Sequence, residues 1–134
     1  ELLRERKFDE VDWEHLIEEV EGLAGSDRRA IRSQLLRLLM HLIKERIQPE
    51  RAGTSWRTSI VNAQQEIGLI LEDSPSLKRY LESALQKTYR TAERRLARNP
   101  TYRKAEEFHL PHNCPFTVPQ LLKDDPNTLR GMLK

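Results

Sequence analysis

Cysteine is nearly missing from this chain: Cys114 is the only one in 134 residues. One thiol excludes an intrachain disulfide and fits a reducing compartment. Long apolar runs are missing as well. None approaches the roughly 18 residues expected of a membrane span, and no basic, apolar, small-residue signal pattern opens the chain. Glycine-rich phosphate loops and nucleophile elbows are absent, as are internal repeats and low-complexity linkers, and strand alternation is hard to find. What remains is a soluble, cytoplasmic, single domain over residues 1–134, long enough to bury roughly two thirds of its unfolded surface without structural metals. The chain opens at Glu1 rather than a methionine, so preceding sequence is expected.

Helical spacing fills the space these absences leave. Trp13, Leu16, Ile17, Val20, Leu23 and Ala24 share one face of a helix over about 12–24, with Asp12 as its N-cap and Gly25 suited to the residue after its end. Ser26 follows as the next N-cap, which predicts a very short turn and an antiparallel hairpin. The second helix, about 27–48, carries Ile31, Leu35, Leu36, Leu38, Leu39, Met40, Leu42, Ile43 and Ile47 over roughly 200° of the wheel. That arc is too wide for a one-sided surface helix, so this helix is central or lends a flank to a partner. Pro49 stops it. A third helix over about 56–72, capped by Ser55, and a fourth over about 77–98, capped by Ser76, complete the predicted bundle. The extension 99–134 reads as loop, with one short helix opened by a Thr117–Gln120 capping box. The expected fold is therefore all-α: four main helices with a C-terminal loop and short helix packed on them.

Net charge is +2, yet the signs are segregated. Residues 1–25 hold nine acids and three bases, residues 26–53 seven bases and three acids, and residues 76–105 nine bases and two acids. In the predicted hairpin the acidic first helix faces the basic second one, with Arg37 level with Glu14, and His41 level with Glu10 near Asp9 and Asp12. Such pairing weakens the case for a nucleic-acid binder, which needs unpaired basic surface.

Four groups could carry chemistry. His41 lies outside the leucine arc, on a polar strip with Gln34, Arg37, Lys44 and Glu45. It reads first as an imidazole held by a carboxylate, and otherwise as a general base working with Asp12 and Glu18. Glu14, Glu18, Glu19 and Glu21, with His15, read as ion-pair partners rather than metal ligands, because the Glu-x-x-His pairs of di-metal bundles are missing. Lys87, Arg90, Arg94 and Arg98 follow one helix face and could track a phosphate backbone, but no aromatics interleave with them for base stacking. His109, His112 and Cys114 crowd six residues but match no standard zinc spacing and lack a fourth ligand. No cofactor is expected.

The stretches "DWEHLIEEVEGLA", "LLRLLMHLIKERIQPE", "SWRTSI", "DSPSL" and "CPFTVPQLL", in that order from about Phe8 to Leu122, resemble the bacterial family catalogued as domain of unknown function 29. The resemblance implies an all-helical fold and no activity. It places Asp12, Trp13, Glu18, Glu19, His41, Pro49, Glu50, Trp56 and Cys114 within recurring blocks, while residues 99–112 are less similar. The functional expectation is a non-enzymatic helical protein acting through protein–protein contact or self-association. Its alternatives are a hydrolase- or nuclease-like effector using His41, and a nucleic-acid binder using the basic face of the fourth helix.

Overall fold

A computed structural model describes the backbone of residues 6–99, 101 and 110–133, and side chains from residue 25 onward within those ranges. The helices are α1 (Arg6–Ile47), α2 (Thr54–Asp73), α3 (Leu77–Arg98), α4 (Val118–Lys123) and α5 (Pro126–Gly131), with a 3-10 turn at Pro49–Arg51. No strand occurs among the described residues, and the fold is all-α. No helix among them is long and apolar enough to cross a membrane.

The predicted hairpin is not formed. α1 is helical through Gly25 and Ser26, so the four main helices expected from the sequence are three long ones. No glycine among the described residues has a positive φ, and Gly25 therefore does not make the left-handed cap that a turn would use. A glycine inside a helix costs about 1 kcal/mol relative to alanine but does not by itself end the helix. The chain divides into two compact units, Glu1–Ala30 and Ile31–Lys134, and the boundary falls within α1.

The second unit contains a continuous hydrophobic cluster. On α1 the buried residues are Ile31, Leu35, Leu38, Leu39, Leu42, Ile43 and Ile47, which absorb most of the wide apolar arc. α2 contributes Ile60, Ala63 and Ile67, and α3 contributes Leu77, Leu81, Leu85, Tyr89, Ala92 and Leu96 at three- and four-residue steps. α4 packs on α2 and α3, while α5 packs on α2, adding Val118, Leu121 and Leu129 to the cluster.

Polar side chains fix these short helices in place. The Thr117 hydroxyl accepts from Gln120 N–H, and the Gln120 side chain accepts from Thr117 N–H, completing the predicted capping box. The Gln64 amide of α2 donates to the carbonyls of Leu121 and Asp124 at 2.8 and 2.9 Å, satisfying acceptors that a helix end leaves open. α5 was not expected. Asp125 caps it by accepting from the N–H groups of Asn127 and Thr128, with Pro126 in the first turn, where proline loses nothing. Ser55 is not a cap: α2 begins at Thr54 with Gly53 in the capping position.

Candidate functional site: a cationic groove

His41 and its neighbours line a groove between the second half of α1 and α3, of about 880 Å³. Helical periodicity builds both walls. From α1 come Arg32, Leu36, Arg37, Met40, His41 and Lys44, and from α3 come Tyr80, Ala84, Lys87, Thr88, Thr91 and Arg95, with Ser33 and Ser83 beside them. Steps of three and four residues put each set on one face. The floor is apolar, because Leu36, Met40 and Tyr80 are half-buried against the core. The walls are mostly polar. Five lining residues are cations, Arg32, Arg37, Lys44, Lys87 and Arg95, and among the described residues no carboxylate lines the groove.

Within this groove His41 bonds through Nδ1 to the carbonyl of Arg37 at 2.9 Å, not to a carboxylate as the hairpin predicted. That bond puts the neutral ring's proton on Nδ1 and leaves Nε2 as an acceptor. Burial lowers the imidazole pKa below its ordinary value near 6.5; the Arg37 carbonyl opposes the shift, the charges of Lys44 and Arg37 reinforce it, and Glu45 opposes it. The empty groove thus favours the neutral imidazole of His41. Asp12 and Glu18, its proposed catalytic partners, and Asp9 lie where side chains are outside the described residues.

Three groove hydroxyls of α3 are engaged along their own helix. Ser83 donates to Tyr80 O at 2.7 Å, Thr88 to Ala84 O at 2.8 Å and Thr91 to Lys87 O at 3.0 Å. None of these bonds couples a hydroxyl to His41 as a nucleophile would require. Lys44 also places its ammonium 6.0 Å from the centroid of the Trp56 ring, a distance at which the ring quadrupole attracts a cation.

The predicted basic row of α3 divides. Lys87 faces this groove and also a shallower one of about 600 Å³, which holds Arg90 and Arg94 with Gln86, Glu93 and His112. Arg98 is exposed in the last turn and lines neither. Arg95 was missed by the sequence reading, although it continues the ladder Ala84, Lys87, Thr91. In the shallower groove Glu93 is raised above its ordinary value, first by burial, against the lowering effects of His112, Arg90 and the Tyr89 hydroxyl.

The loop 110–117 is pinned to α3. Tyr89 donates to Pro111 O at 2.8 Å, and Gln86 Oε1 accepts from Cys114 N–H at 2.7 Å. Of the three suggested metal ligands, His109 lies outside the described residues, His112 is exposed, and Cys114 is half-buried with its sulfur 3.7 Å from Phe116 O. Among the described residues no three His, Cys, Asp or Glu side chains converge on a metal position. Burial pushes the Cys114 thiol up to about 11; the Phe116 carbonyl contact opposes this, and the Glu93 charge adds to it. At pH 8 such a thiol is about 0.1% thiolate, against roughly a quarter for an ordinary cysteine of pKa about 8.5. Alkylation by iodoacetamide is therefore expected to run roughly 100-fold slower than for a free cysteine. A rate equal to that of the free amino acid would show that this loop does not cover the thiol.

One family model, described as "Domain of unknown function DUF29", matches residues 1–126. No curated protein and no solved structure matches the chain.

Proposed function

The chain belongs to that family, domain of unknown function DUF29, whose description names no activity, and we propose that it is a non-enzymatic binding protein whose α1–α3 groove receives an acidic amphipathic helix of a protein partner. One observation carries this reading: among the described residues, five cations and no carboxylate surround a floor of Leu36, Met40 and Tyr80. Helix-in-groove recognition uses apolar anchors at three- and four-residue steps against such a floor, and methionine adapts its shape to them. Charges at the rim then give orientation and association rate more than affinity.

A nucleic acid would use the cations but not the floor. Base stacking needs open aromatic faces, and among the described residues Tyr80 is the one Phe, Tyr or Trp lining the groove. A cytoplasmic setting is part of the proposal, in keeping with a lone, unpaired Cys114 in a reducing compartment.

Fluorescence anisotropy with a labelled acidic amphipathic helical peptide tests this reading. The double variant Lys87→Glu/Arg95→Glu is expected to weaken binding roughly tenfold or more. Arg94→Glu, in the shallower groove, should leave it within about threefold. Tighter binding of a single-stranded oligonucleotide than of the peptide, lost in the same double variant, would reject the protein-partner reading. The pH dependence has a fixed sign. Arg37 and Lys44 on α1, and Lys87 and Arg95 on α3, keep His41 company when the groove is empty. Carboxylates brought by the peptide favour the imidazolium, so binding takes up a proton and tightens from pH 7.5 to 6. His41→Gln should flatten that slope.

A further inference from the structure

We infer that the helix received by this groove is residues 12–24 of a second copy of the chain, exchanged reciprocally. The inference rests on the groove reading and names its partner.

Charge supplies the first argument. Residues 12–24, DWEHLIEEVEGLA, contain five acids and no lysine or arginine; among the described residues the groove presents five cations and no acid. The pattern supplies the second. Trp13, Leu16, Ile17, Val20 and Leu23 form one apolar stripe at helical spacing, with Asp12 and Glu19 falling along one edge and Glu14 and Glu21 beyond the other. An apolar stripe with acidic shoulders is the complement of an apolar floor with basic walls. The segment is helical, since α1 begins at Arg6.

Length agrees. Thirteen helical residues span about 20 Å at 1.5 Å each, while Arg32 to Lys44 and Tyr80 to Arg95, the ends of the two groove walls, span about 18 and 22 Å. The antiparallel turn expected at Gly25–Ser26 is not made, the backbone there being helical. Exchange between two copies satisfies the same charges without that turn. It forms an isologous pair in which each copy gives one segment and accepts another, so the two contacts reinforce each other.

Sedimentation velocity on the whole chain, from about 1 to 100 μM, provides the test. The unmodified chain is expected to dimerise, with an affinity that falls as salt is raised from low to physiological ionic strength. Lys87→Glu/Arg95→Glu and, separately, Glu14→Lys/Glu21→Lys should each weaken self-association roughly tenfold or more. Mixing these two variants makes both contacts complementary again, and a 1:1 heterodimer should form; circular dichroism of each variant alone checks that it is folded. Dimerisation untouched by either double variant, or a mixture that stays monomeric, overturns the inference. A chain that is monomeric throughout while an unrelated acidic amphipathic peptide still binds the groove overturns the second-copy partner and leaves the groove reading standing. If neither the chain nor any such peptide binds, both fall.

Discussion

Replacing Leu39 with alanine is expected to lower the unfolding free energy by about 2–5 kcal/mol, while the same change at Leu69 costs less than about 0.5 kcal/mol. Leu39 is 0% exposed and sits in the shared core; Leu69, on α2, is 55% exposed. Truncation at Leu39 removes apolar burial and leaves a cavity that α1, held by Leu35, Leu38, Leu42 and Ile43 on the same flank, can close only in part. Thermal or urea unfolding followed by circular dichroism measures both. For a chain of this size a loss of 3 kcal/mol corresponds to roughly 10 °C in Tm. Equal effects at the two positions would mean that α1 does not occupy the centre of the cluster.

The pair also shows how much of the second predicted helix was legible. Its wide apolar arc implied either a central helix or a flank lent to a partner, and the first of these finds its place in the core. Ile31, Leu35, Leu38, Leu39, Leu42, Ile43 and Ile47 are spent on the core, while Leu36 and Met40 are half-buried at the groove floor. Periodicity carried this because burial follows geometry along a helix. The bounds of α3 and the capping box at Thr117 were legible for the same local reason. α5 was legible in principle: Asp125 followed by Pro126 is a helix-start signal, overlooked because six residues give little periodicity.

The turn at Gly25–Ser26 was misjudged for a different reason. Glycine followed by serine is both a stop and a start signal, but each is only a preference of about 1 kcal/mol, and neither breaks a helix as proline does. The groove was hidden behind that error. With Arg37 assigned to Glu14 in a hairpin, the basic strip of the second helix looked neutralised. Without the reversal, Arg32, Arg37 and Lys44 instead face Lys87 and Arg95 across a cleft. Segregated charge in a sequence therefore does not say whether its counter-charges belong to the same molecule.

Arg57→Leu is expected to destabilise the fold by about 3 kcal/mol, the lower end of the 3–5 kcal/mol range for orphaning a buried charge. Glu45 is wholly buried, and Arg57 Nε donates to its Oε1 at 2.7 Å. A second guanidinium nitrogen donates to Asn127 Oδ1, so one side chain joins α1, α2 and the start of α5. The other carboxylate oxygen, Oε2, has no hydrogen-bond partner, which makes the carboxylate depend on Arg57 for its compensation. Water reaches the arginine, whose side chain is 34% exposed, and this moderates the loss. Removing both charges behaves differently, because an apolar pair has no ion left to solvate. Glu45→Leu/Arg57→Leu should recover most of the stability lost in Arg57→Leu, and the double-mutant cycle should give a coupling of roughly 2 kcal/mol. A double variant no more stable than Arg57→Leu would mean that the cost lies in the lost tie to Asn127 and not in the stranded carboxylate.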